Sequence, residues 1–246
     1  SRFYLCPSSR YLMNAVPPGQ PQRRIIEVLP GQAAAEQLMP APTGSTKQDG
    51  KLFAIWHLGD VALQIMEGIG PQDTNADVVV VDASNYKDQI GVARLNRIEP
   101  GTAMMHMTKT PDALSGDKLM IAAVTTKNLD TPDMEITLGR IKSATQESID
   151  MAEDNGKVTV AFEPVGNLPV PKMNRAEQAL SAADSSTQTP LSRSITGMVM
   201  GIKEMAPHLM HVREIAIIVP HKGDFQEANQ IATRMLGAPQ VPGRTQ

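Results

Sequence analysis

Residues 76–98 read ADVVVVDASNYKDQIGVARLNRI, and the fold turns on this stretch. Val78, Val79, Val80 and Val81 form a continuous β-branched run, which suits a strand covered on both faces better than one with a wet face. Asp82–Asn85 ends the run, because short polar side chains bond nearby backbone and favour turns. Over Asp88–Ile98 the spacing of Val92, Leu95 and Ile98 predicts a helix with one apolar face. Strand, polar turn and helix in that order make one unit of an α/β sheet. The carboxyl end of such a strand is where ligands settle.

Working outward, Lys51–Trp56 and Val61–Met66 are β-prone runs joined through Gly59-Asp60, the chemistry of a hairpin turn. Thr102–Thr108 and Lys118–Val124 predict two further strands around the turn-rich KTPDALSGD. Thr131-Pro132 reads as the cap and first position of a long helix that Gly156 closes, with Leu138, Ile141, Thr145, Ser148 or Ile149, and Ala152 on one face. Val158–Phe162 follows as a buried strand, and EPVGNLPVPK is the loop at its carboxyl end. A helix is predicted over Met173–Ala183. Ile195, Met198, Val199, Ile202 and Met205 mark the clearest amphipathic helix, Glu214–Val219 the last strand. Asp224 and Glu227 have capping-box spacing for a final helix that Gly237 stops. Helices alternating with apolar strands predict a three-layer α/β/α sandwich on a mixed, mostly parallel sheet. Residues 1–50 carry PSS, VPPGQPQRR, LPGQ and MPAPTGSTKQDG, too many breakers for a core, and read as an extended N-terminal arm. The domain then spans 51–237, with 238–246 as a C-terminal tail.

Composition narrows the function classes. Lys plus Arg is 23 against Asp plus Glu 26, a net charge of -3, so no broad positive field exists to hold a nucleic-acid backbone. The chain has 1 cysteine, Cys6, which excludes an intrachain disulfide and fits an intracellular or cytoplasmic setting. No apolar run approaches the ~20 residues needed to cross a bilayer, and the first residues lack the apolar centre of a secretory signal. The expectation is a soluble protein without a membrane partner. His208 and His211 share a helical spacing, but no carboxylate or cysteine motif completes a metal set.

The order of ADVVVVDASN, GVARLNRI and PGTAMMHMTKTPDALSGDKLMIAAV, followed by IKSATQESIDMAEDNGKVTVAFEPVGN and a last helix, strand and helix, resembles the macro domain. That family's pattern is a valine-rich strand ending in Asn-Ala-Ala-Asn, a glycine-rich loop, a helix and a strand pair. Many of its members bind ADP-ribose and some hydrolyse it from proteins. The likeness covers roughly Lys51 to Leu236. It implies that Asn85 holds the distal ribose, that Gly91 and Val92 line the first loop, and that Val165, Gly166 and Asn167 wrap the diphosphate. Independently of the family, backbone N–H groups of a glycine-containing loop can cradle phosphate. Asp73 stands in for the family's adenine-binding Asp if its loop bends back.

Three departures from the family pattern weigh against catalysis. Tyr86–Ile90 fill the place of a glycine run and crowd a diphosphate. Ala93 occupies the position where hydrolytic members keep an Asp to orient water, and alanine does neither acid nor base work. The adenine contact rests on a displaced Asp73. The expected function is a non-catalytic macro-like domain acting as a structural or interaction subunit of a larger assembly, a homo-oligomer or a complex with other protein subunits. The alternative is a domain that reads ADP-ribose or a related nucleotide, with or without weak hydrolase activity. No cofactor is expected, and ADP-ribose is the candidate ligand.

Overall fold

The structure, a computed structural model, describes residues 46–48, 51–86, 98–106, 118–126, 136–168 and 189–240. Its strands are β1 (Thr46–Gln48), β2 (Lys51–Leu58), β3 (Val61–Glu67), β4 (Val78–Asp82), β5 (Thr102–His106), β6 (Leu119–Val124), β7 (Thr159–Phe162) and β8 (Glu214–Val219). The helices are α1 (Leu138–Asp154), α2 (Pro190–Met205) and α3 (Lys222–Leu236). The strands form one 8-stranded sheet in the order β1-β2-β3-β8-β7-β4-β6-β5. From β3 to β6 the neighbours are parallel; β1, β2 and β5 add antiparallel edges. This is the mixed, mostly parallel α/β sheet that the alternation of strands and helices predicts.

The valine run takes the position its composition demands. β4 lies between β7 and β6, and all of Val78–Asp82 is buried. Alternation splits it between two cores. Val78 and Val80 join the large cluster under α1, α2 and α3, whereas Val79 and Val81 join Met104, Met120, Ala122 and Val124 on the opposite face. Ile98 packs against that second cluster. The rest of the predicted 88–98 helix lies outside the described residues, as do the 173–183 helix and the 109–117 connection.

The helix faces follow the 3.6-residue period. In α1 the buried positions are Ile141, Ala144, Thr145, Ser148, Ile149 and Ala152, and the two hydroxyls donate to the carbonyls of Ile141 and Ala144 at 2.8 and 2.7 Å. Thr137, whose Oγ1 accepts from the Arg140 N–H at 3.2 Å, caps this helix instead of Thr131. The Thr-Pro pattern does start a helix at Thr189-Pro190, where Thr189 Oγ1 accepts from the Ser192 N–H at 2.9 Å. The capping box at Asp224 does not form. His221 is the α3 cap and makes no side-chain cap bond, so Asp224 already sits in the first helical turn. Glu227 accepts instead from the Thr189 hydroxyl, tying α3 to the start of α2.

Both ends of the described chain meet the sheet at β2. Thr46–Gln48, predicted as arm, pairs with β2, so the sheet begins ahead of Lys51. Past α3, the Gly237 carbonyl accepts from Trp56 Nε1 at 2.9 Å and the Gln240 N–H donates to the Ile55 carbonyl at 2.8 Å.

Helices α1 and α2 meet closely because two glycines remove their side chains from the contact. A Cβ on Gly197 would stand 2.7 Å from Ile141 Cγ2, and one on Gly201 3.0 Å from the Lys142 carbonyl. Gly197→Ala is therefore expected to destabilise the fold by about 1–3 kcal/mol through overpacking, although alanine is the better helix former. Chemical denaturation checks this; an unchanged or raised midpoint would show that the helices separate without cost.

Candidate functional site

Parallel strands bring their carboxyl ends to one side of the sheet, and β4, β6 and β7 each deliver polar groups there. Asp82 closes β4, Thr125 follows β6, and Glu163 follows β7. The Asp82 side chain is 1% exposed, so its carboxylate needs partners from the chain. Its Oδ2 accepts from the Gly166 N–H at 2.8 Å and from Thr125 Oγ1 at 3.1 Å. Its Oδ1 accepts from the Ser84 N–H at 3.0 Å and Ser84 Oγ at 2.6 Å, which holds the Ala83–Tyr86 turn against the strand end.

Glu163 extends the cluster. Its Oε1 accepts from the Asp82 N–H at 2.6 Å and from Asn85 Nδ2 at 2.8 Å, and its own N–H donates to the Val80 carbonyl at 3.0 Å. Burial raises the Glu163 pKa from 4.5 to about 7; the Asp82 charge adds to this, and the bonds from Asp82 N–H and Asn85 oppose it.

The loop after β7 is held from below. Gly166 has φ +75, and a Cβ there would stand 2.8 Å from Ile141 Cγ1, so only glycine fits. The neighbouring N–H groups also have internal partners: Val165 donates to Met198 Sδ at 3.4 Å and Asn167 to the Pro164 carbonyl at 3.2 Å. Ser194 Oγ donates to the Val165 carbonyl at 2.7 Å, fastening the loop to α2.

Of the residues picked from sequence, Asn85, Val165, Gly166 and Asn167 stand together at these carboxyl ends. Asn85 is exposed, Val165 and Gly166 are buried, and Asn167 is half-buried. Asp73 lies elsewhere. It sits in the Pro71–Asp73 turn beside Lys118, whose Nζ donates to the Gln72 carbonyl at 3.1 Å and to the Thr74 carbonyl. Lys118 precedes the residue paired with Val78, at the amino end of β4, a strand length of ~15 Å from Gly166. The segment after β3 runs back to the start of β4 before it turns, so Asp73 does not reach the cluster. Burial lowers the Lys118 pKa, and the nearby Asp73 charge opposes this. Gly91, Val92 and Ala93 lie outside the described residues.

Asp82, Thr125 and Glu163 are the residues that sequence reading missed. The signal was present twice: VVVVD and TVAFE each end a buried strand in an acid. Among the described residues no group of His, Cys, Asp and Glu could hold a metal ion, and no helix is long and apolar enough to cross a membrane.

The architecture matches solved structures. The Oceanobacillus iheyensis macrodomain with ADP superposes with a TM-score of 0.51 at 10% identity, over 74% of this chain and 96% of that one. The same macrodomain with MES bound gives 0.52 at 10% identity, over 75% and 97%. The fold is that of a macro domain. At this identity the likeness concerns the fold alone, and neither a family model nor a curated protein matches the sequence. Within the macro fold, the glycine loop of this chain has its Gly166 N–H bonded to a carboxylate of its own.

The Glu163 environment sets a pH dependence. Its folded pKa lies above its unfolded one, so its contribution to stability is complete below about 4.5 and is lost as pH rises to about 7. The full span is about 3 kcal/mol as an upper bound. Glu163→Gln keeps an acceptor for Asp82 and Asn85 without the charge. Urea unfolding from pH 4.5 to 8 should show this slope in the parent and a flatter profile in the variant, with the variant at least as stable at pH 8. Parallel profiles would place the titration elsewhere.

Proposed function

We propose that this macro-fold domain is a non-catalytic structural or interaction subunit of a larger assembly, engaged through its breaker-rich tails. The observation that carries this reading is where those tails join the sheet. Thr46 pairs with Phe53 and Gln240 bridges to Ile55, both on the outer edge of β2. Thr46 and Gln240, the first and last described residues, thus lie at neighbouring positions along one side of β2. The arm holds apolar anchors, Phe3, Tyr4, Leu5, Ile25, Ile26 and Leu29, between its prolines and glycines. Such segments lay strands on edges or apolar side chains into grooves, and the ordering cost falls on the moment of docking. Two forms of the chain should separate the roles of arm and domain. A chain starting at Gly44, which keeps β1, is expected to melt within a few degrees of the full chain yet lose its assembled mass in solution. An unchanged assembled mass would remove the arm from the interaction.

The second reading, recognition of ADP-ribose or a related nucleotide, is supported by the enforced glycine at Gly166 and by Asn85 at the rim of the same cluster. Calorimetry with ADP-ribose, and turnover of an ADP-ribosylated protein, distinguish the two. The first reading expects no saturable heat and no turnover above a no-enzyme control. A saturable heat that Asn85→Ala abolishes would favour the second.

A further inference from the structure

Gly166 presents its N–H at the carboxyl ends of β4 and β7, beside the hydroxyl of Thr125 and the N–H and hydroxyl of Ser84. Donors converging in this way suit an oxyanion. In this chain the oxyanion is supplied internally: Asp82 Oδ2 lies 2.8 Å from the Gly166 nitrogen and 3.1 Å from Thr125 Oγ1, and Oδ1 takes both Ser84 donors. Asp82 and Thr125 are each 1% exposed, so the position is filled and closed to water. Glu163, whose Oε1 is 2.6 Å from the Asp82 nitrogen, sets a second carboxyl group against the same place.

We propose that Asp82 is a specificity-determining residue: its carboxylate occupies the anion position formed by Gly166, Thr125 and Ser84, and so excludes phosphate and diphosphate groups from the loop. A diphosphate reaching the Gly166 N–H would have to displace a buried carboxylate from all its donors and then face its charge at close range, with a second acid beside it. A neutral or cationic group meets neither obstacle. The consequence is specific to one side chain, since the forced glycine at Gly166 and the hydroxyls of Thr125 and Ser84 are all retained in a chain altered only at Asp82. The inference is independent of the assembly role, which is read by mass in solution; here the readout is a single backbone amide.

The test follows the Gly166 amide resonance of the full chain, labelled with nitrogen-15, during titration with inorganic pyrophosphate. In the parent chain the resonance is expected to stay put at millimolar ligand. In Asp82→Ala it should move saturably, with an affinity at least tenfold above any seen in the parent. Asp82→Asn, which keeps the size and removes the charge, should also gain binding, and it carries the comparison if the alanine variant does not fold. Saturable movement of Gly166 in the parent chain would overturn the proposal by itself. So would a folded Asp82→Ala or Asp82→Asn chain whose Gly166 amide ignores pyrophosphate.

Discussion

A buried carboxylate can be kept only if the chain brings donors to it, and Asp82 imposes that requirement on three separate segments. Its bonds join the turn after β4, the end of β6 and the loop after β7. None of these segments is adjacent in sequence to the others, yet each must be in register for the carboxylate to be satisfied. The requirement then passes to the helices. Gly166 reaches Asp82 only because its backbone runs at positive φ directly over Ile141, and Ile141 is where α1 receives Gly197 of α2. The close helix contact on one side of the sheet therefore sets the height of a loop at the sheet's end.

The amino ends of the same strands are held by a related device. Asp77 Oδ2 accepts from the Val158 and Thr159 N–H groups at 3.2 Å each, and Thr159 Oγ1 accepts from the Asp77 N–H at 2.8 Å. The β4–β7 pair is thus bonded by carboxylates at both ends. At the foot of α1, the Glu153 carboxylate accepts from the N–H groups of Met210, His211 and Val212. Burial would raise its pKa, but those backbone bonds outweigh it and hold the pKa low. Side-chain carboxylates in place of regular secondary structure satisfy the backbone where the chain enters β7 and β8.

How much of this was legible follows from the range of the interactions involved. The valine run, the Gly59-Asp60 hairpin and the faces of α1 and α2 are periodic or local, so they can be read from neighbours a few residues apart. The resemblance to the macro domain is what brings Asn85 and Gly166 together in the sequence, and each stands shortly after a buried strand. The Asp82–Gly166 bond joins positions 84 residues apart, and no spacing rule encodes it. Asp73 failed for the converse reason. Its distance along the chain from β4 is short, but the segment carrying it returns to the amino end of the strand, and sequence proximity hides which end of a sheet a residue occupies. Thr131-Pro132 and Asp224 show a third limit: a cap pattern marks a place where a helix can begin, while packing of the apolar face decides where it does.

Fold and site are separable here, because the sheet order and helix packing rest on apolar burial while the character of the carboxyl ends rests on one carboxylate. The macro architecture leaves a glycine loop and a polar turn facing each other at the ends of β4 and β7. What fills the space between them is decided by the residue that ends β4. An acid in that position draws the loop's own N–H inward and spends the donors on the protein itself, so the same backbone that could receive an anion becomes a closed structural joint. With its central end closed, the sheet still has the β1–β2 side, where Thr46–Gln48 and Gln240 lie along β2, and an interaction role there would make no demand on the carboxyl ends.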